Sequence, residues 1–191
     1  MSDIHPTAVI GTGAVLGRGV TIGPFAVVGG GAVVGDGTWI GSHAVVGAPP
    51  EVRSVEHGPG WLDDAECRVV IGRDVVLREA AQVHGGWQDV TRVGDGAFLM
   101  NQVYVAHDCQ LAEGVTLASG VALAGHVELG RGANLGLNVS VHQRRRVGAL
   151  AMVGMGAVVT RDVPPFTVSL GAPARVRRAN AVGLERAGLP P

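Results

Sequence analysis

Four residues of this chain combine types and spacings that suit acid–base chemistry. His107 and Asp108 are adjacent, His126 follows Asp108 by 18 residues, and His142 follows His107 by 35. An imidazole that titrates near neutrality can take a proton from a hydroxyl or amine nucleophile. A carboxylate beside it fixes the ring's tautomer and stabilises the imidazolium as it forms. One isolated histidine is more often a surface or subunit-contact residue than a base. A set of three with an aspartate, if the fold stacks them, calls for a chemical role. A zinc site on three histidines would need a close pair around His107, and Gln102 and Tyr104 stand where it would come from. No metal site is expected.

What would stack them is a repeat of six. Ile10, Leu16, Ile22, Val28, Val34, Ile40 and Val46 are spaced by six, each followed by a glycine, with a small residue four positions after each aliphatic. This period is neither that of an α-helix nor that of an alternating strand. It is the mark of an all-β, parallel β-helix solenoid built from hexapeptide repeats. Three hexads close one triangular turn, so residues 18 apart lie above one another at the inter-strand spacing of about 4.8 Å. Asp108 and His126 hold the same hexad position and should stack directly. The imidazoles of His107, His126 and His142 should then line one edge, about 5 and 10 Å apart. Some twenty-two hexads imply roughly seven turns, a prism on the order of 35 Å tall.

Composition agrees with a narrow core of stacked small layers. Among 191 residues there are 31 glycines, 4% aromatics and 16% charged residues, with a net charge of −1. That balance gives no electrostatic footprint for nucleic acid. A long apolar prism with little charge favours a homo-oligomer. No apolar run reaches the roughly 18–20 residues of a membrane span, and the start MSDIHPTAVIG has no charged-then-apolar signal segment, so the cytoplasm is the expected location. Cys109 occupies an inward small position and reads as a buried hydrophobe. No disulfide with Cys67 is expected.

The repeat occupies residues 1–170 and is broken twice. The insertion at 48–67 is rich in Pro, Gly and acidic residues, and a shorter one spans 85–92. Aperiodic stretches of this kind inside a compact domain are usually functional or mobile. From Val93 the hexads run unbroken to Val159. Residues 171–191 form a tail in which Arg175–Arg186 reads as a short helix limited by Asn180 or Gly183.

The stretch LMNQVYVAHDCQLAEGVTLASGVALAGHVELG (99–130), VHQ (141–143) and RDVPPF (161–166) resembles the UDP-N-acetylglucosamine O-acyltransferases of lipid A synthesis. The N-terminal hexads and GAPP (47–50) agree, so the likeness covers nearly the whole chain. The resemblance implies a left-handed β-helix assembled as a homotrimer, with sites in the clefts between subunits. It implies transfer of an acyl group from acyl carrier protein, or from a coenzyme A thioester, to a nucleotide-sugar acceptor, with no bound cofactor. Carried over, His107 is the general base, Asp108 its partner, and the Gly125 amide the oxyanion donor. His84, His126, His142 and Gln143 line the substrate cleft. No covalent acyl-enzyme is expected, and positioning supplies much of the rate.

The chain departs from that family at several places. Glu51-Val52-Arg53-Ser54 replaces a Gln-Asp-Leu-Lys stretch that contacts the sugar. Tyr104 stands for a histidine, Gly85-Gly86-Trp87 for Arg-Gly-Thr, and Arg144 for an aromatic. Only the opening of the family's helical C-terminal domain is present. These changes point to an altered acceptor. Met155 replaces a glycine at the floor of the acyl groove, which implies a shorter chain, from acetyl to about ten carbons; Met is also a common gap-filler. The run Arg144-Arg145-Arg146 either meets the phosphates of phosphopantetheine or is a solvated charged corner. Two other readings stay open at this level: a short-chain hexapeptide acetyltransferase using acetyl-coenzyme A, and a non-catalytic trimeric scaffold or binding module.

Overall fold

The computed structural model describes residues 2–55, 57–66 and 68–189. Cys67 lies outside them, so the expectation about a disulfide is not addressed there. The chain winds as a parallel β-helix whose strands, mostly two residues long, form three faces. A two-residue strand has no stability alone. Each pairs in parallel with the strand one coil above and below, as Tyr104–Val105 pairs with Gln82–Val83 and with Ala122–Leu123. The register is 18 residues wherever no insertion intervenes, as the hexads require.

Nine mutually parallel strands stack in the first face, from Asp3–Ile4 to Thr167–Leu170, so the coil makes about nine turns rather than seven. The extra turns come from the strands at 3–4 and 167–170 and from the coil's continuing through both insertions. The interior is a column of aliphatic layers. Ile22, Ile40, Leu77, Leu99, Leu117 and Leu135 rise on one face with 0–1% exposure, and Val20, Val75, Ala97 and Val115 fill the spaces between. Cys109 takes its place in this core at 0% exposure.

Each face joins the next through a tight corner. The second corner residue commonly has a left-handed backbone, including Asp108 (φ 61°), His126 (φ 60°) and Arg144 (φ 59°). Aspartate and histidine tolerate that conformation better than most residues. Both insertions leave the coil between the second and third faces, from Val45–Ala48 to Val69–Ile71 and from Gln82–His84 to Thr91–Val93. That is the corner on which His107 and Asp108 sit. The second insertion is shorter than expected, because Thr91 and Arg92 already pair with Val69 and Val70. The first folds back on its own corner: Leu62 accepts the Gly30 amide at 2.7 Å and Asp63 the Thr12 amide at 2.6 Å.

The upper end is capped differently from the expectation. Arg175–Ala179 is a strand, antiparallel to Thr167–Leu170, and only Ala181–Arg186 is helical. Pairing with the last strand of the face takes the arginine-rich segment away from helix. Asn180 starts the helix rather than limiting it, its side chain accepting the Gly183 amide at 3.2 Å.

Candidate active site

The site is assembled from one corner in two successive coils and from the loop just below. His107 and Asp108 follow the strand Tyr104–Val105; Gly125 and His126 follow Ala122–Leu123, one coil up. Asp108 is 3% exposed. Its Oδ1 accepts the amides of Trp87, Gln88 and Asp89 at 2.8–3.0 Å, and its Oδ2 lies 2.8 Å from His107 Nδ1 and 3.3 Å from His126 Nε2. Burial alone would push the Asp108 pKa up. The Asp89 amide, the His107 ring and the amides of Trp87 and Gln88 outweigh it and hold the carboxyl below its ordinary value. The aspartate is therefore ionised and accepts from His107 Nδ1–H, which turns Nε2 toward the outside of the pair.

The Asp108 backbone is anchored too, its amide donating to Thr91 Oγ1 at 2.8 Å. Thr91 is fully buried in an inward position, and a hydroxyl among aliphatic layers was the signal that could have singled it out. Gly125 lies against the other side of the His107 ring, and its amide finds no acceptor among the described residues. A free amide beside a free imidazole nitrogen is an arrangement that can donate to a developing oxyanion and accept a proton at one place.

His126 is edge-on to His107, with ring centroids 5.3 Å apart, close to the spacing the repeat implied. Its Nε2 stands between Asp108 and the Arg144 guanidinium, 3.4 Å away on the next coil. Desolvation lowers the His126 pKa; the Asp108 charge opposes this, while Arg144 and His107 add to it, and the net direction is down. His107, Asp108 and His126 offer ligand atoms within 4.8 Å of one another, a spacing a divalent ion could span. Both imidazoles already face one Asp108 oxygen and three amides take the other, so it is the carboxylate that is engaged, while His107 Nε2 stays free.

The remaining expected residues are not brought into this cluster. The 18-residue register sets His142 above Ala124, not above His126, and its Nδ1 is 3.2 Å from the Gln143 carbonyl. The one-residue offset that simple counting passes over is the reason. Gln143 lies above Gly125, exposed. Met155 is 73% exposed on the corner between the first and second faces, a different edge from His107.

His84 is 6% exposed at the end of its strand. Its Nδ1–H donates to the Pro49 carbonyl at 2.7 Å, and its Nε2 has no partner among the described residues. It borders a hollow of ≈ 530 Å³ shared with Pro49, Glu51, Arg53 and His57. The Tyr104 ring packs 5.1 Å from His84, and its hydroxyl donates to the Glu51 carboxylate. Burial, then Glu51, push the Tyr104 pKa up.

The lineage of this site follows from comparison with known proteins. A UDP-N-acetylglucosamine O-acyltransferase of Paraburkholderia phymatum is 41% identical over 202 residues, covering 98% of this chain and 77% of that protein. The chain belongs to the UDP-N-acetylglucosamine O-acyltransferase family. The Campylobacter concisus member is 35% identical over 97% of this chain and 77% of its own length. With the Synechocystis member the match is 39% identity over 126 residues, and against several such members the chain spans about half their length. Among solved structures, the acyltransferase of Campylobacter jejuni superposes with a TM-score of 0.82 at 34% identity, covering 96% of this chain and 77% of that one. That of Francisella novicida gives 0.81 at 33%, over 98% and 74%. No protein-family model matches the chain. Among the described residues no helix is long and apolar enough to cross a membrane.

Proposed function

We propose that this chain transfers an acyl group from a phosphopantetheine thioester to a UDP-N-acetylglucosamine-type acceptor. The observation that carries the proposal is the pairing at one corner of a His107 Nε2 lone pair, set by Asp108 at 2.8 Å, with the unengaged Gly125 amide. His107 takes the proton from the acceptor hydroxyl or amine as its oxygen or nitrogen attacks the thioester carbonyl. The Gly125 N–H holds the oxyanion. Collapse breaks the carbon–sulfur bond, and the imidazolium returns the proton to the departing thiolate. No bond to the protein forms.

Met155 and His107 occupy different edges of one prism. A groove that begins at His107 and ends at Met155 therefore needs a neighbouring copy, which supports a homotrimer with its sites in the clefts between subunits. Met155, exposed at such a groove, favours a short acyl chain. Acyl carrier protein is the donor that the relatives' names give, and coenzyme A carries the same phosphopantetheine arm. A cytoplasmic location suits both donors. Retention of the base, its carboxylate and the free amide argues against a non-catalytic scaffold.

Incubation with acyl carrier protein and coenzyme A thioesters of graded length, with UDP-N-acetylglucosamine and related amino sugars, tests the reading by thiol release. Acceptor-dependent release that disappears in His107→Ala is expected. Equal release by that variant would overturn it.

A further inference from the structure

Among the described residues, Trp87 is the one large apolar side chain beside the proposed base that stays substantially open, at 44% exposure. Trp39 and Trp61 are both partly covered. Its indole stands edge-on to the His107 ring, at 88° with centroids 6.0 Å apart. Its own amide donates to Asp108 Oδ1 at 2.9 Å. The preceding Gly86 packs so tightly that a Cβ there would fall 1.6 Å from the Asp89 carbonyl. The indole is thus held out from a turn whose backbone is tied to the base's own carboxylate, and it does not ride on a loose loop.

The surroundings of His107 give this position a meaning. Asp108 occupies Nδ1, Gly125 lies against Cε1 and Nε2, His126 is edge-on, and Trp87 forms a further wall. Only 15% of the His107 side chain remains accessible. A nucleophile that reaches the remaining open part of the ring passes a rim to which the indole, 6.0 Å away, contributes. An exposed indole face attracts the C–H face of a pyranose, a surface apolar on one side and hydroxylated at its edge. A sugar lying there keeps its ring hydroxyls directed sideways, toward the base.

We propose that Trp87 is the platform for the acceptor's pyranose, a specificity-determining residue that sets one ring hydroxyl or amine against His107. The inference rests on the acyl-transfer reading above and names the part of the acceptor that this chain grips at that site. The Trp87 amide, not its ring, holds Asp108, so truncating the ring leaves the base's support in place.

The test compares wild type with Trp87→Ala and Trp87→Phe, using UDP-N-acetylglucosamine and UDP as probes. Steady-state transfer should show the acceptor KM raised about tenfold in Trp87→Ala, with the thioester KM unchanged, and largely restored in Trp87→Phe. UDP-N-acetylglucosamine should alter wild-type tryptophan emission more than UDP does, and that difference should vanish in Trp87→Ala. Transfer by Trp87→Ala with an acceptor KM within twofold of wild type would overturn the role of Trp87 alone. An emission change as large with UDP would place the nucleobase on the indole and overturn the pyranose assignment. Absence of transfer and of binding in wild type would overturn the acyl-transfer reading, and this inference with it.

Discussion

Gly125 lies so close to the ring of His107 that a Cβ built on it would stand 2.6 Å from Cε1 and 2.7 Å from Nε2. Glycine here is a condition of the base's position, not of the backbone's conformation, since its φ is not positive. Gly125→Ala should fold normally and keep its amide, yet displace the imidazole. Misplacement by about 1 Å costs roughly 100-fold in rate. A kcat loss of that order with an unchanged melting temperature is expected. Retained activity would mean that the ring can move without penalty.

Asp108→Asn separates charge from shape. The amide oxygen can still accept the three loop N–H groups, but its NH2 then faces His107 Nδ1 and forces the ring proton onto Nε2. The base would be lost with the loop intact. A fall in kcat of about 10⁴ is expected by analogy with other His–carboxylate pairs. A loss under tenfold would show that Asp108 merely anchors the turn.

The same two coils predict the course of acid unfolding. His126 has a depressed pKa, so the unfolded chain binds its proton more readily and stability begins to fall as pH drops below about 6.5. Asp108 is depressed as well. Its contribution is complete above about 3.9, the ordinary aspartate value, and is lost as pH falls through the lower folded value. Urea midpoints measured from pH 7 to pH 3 should decline in that order. His126→Gln should flatten only the upper part of the slope; no change there would contradict the assignment.

Cys109 offers a check on both core and chemistry. Burial pushes its thiol up to about 12, and its Sγ points at the Ala124 carbonyl, 3.3 Å away. In a Cys67→Ser background, a disulfide-exchange reagent should find no reactive thiol until the protein is unfolded. Cys109→Ala should retain transfer within about twofold. Rapid native-state labelling would place the thiol in the cleft instead.

Stability should reside in the layers rather than in the charged edge. Leu117 is fully buried, and Leu117→Ala should cost about 2–5 kcal/mol. Arg73 and Asp95 form a 2.7 Å ion pair but are 70% and 46% exposed, so Arg73→Ala should shift the denaturation midpoint far less than Leu117→Ala. Chemical denaturation of the two variants checks the ranking.

Much of this was legible because a hexad repeat is a coordinate system. The layers, the inward place of Cys109 and the stacking of Asp108 under His126 follow from counting in eighteens. His142 shows the limit of counting, for an offset of one residue turns a side chain away from its neighbour. Trp87, Glu51 and Tyr104 showed in the sequence only as departures from the family's pattern. Their meetings with His107, His84 and one another depend on insertions whose paths no period dictates. The Arg175–Ala179 strand was hidden for a related reason: an edge strand takes its partner from the coil, not from its own propensity.

Both insertions leave and rejoin the coil at a single edge, with their ends held on adjacent faces by strands that pair with the coils above and below. Closing a loop between fixed ends costs little more when it lengthens. The edge is therefore open to evolutionary experiment: sequence can be added, lost or exchanged there without disturbing a layer of the core. If the insertions carry acceptor preference, as proposed for Trp87, then that preference and fold integrity are written on separate stretches of the gene and can drift independently. A relative's loop grafted between Ala48 and Val69 would be the laboratory version of that drift.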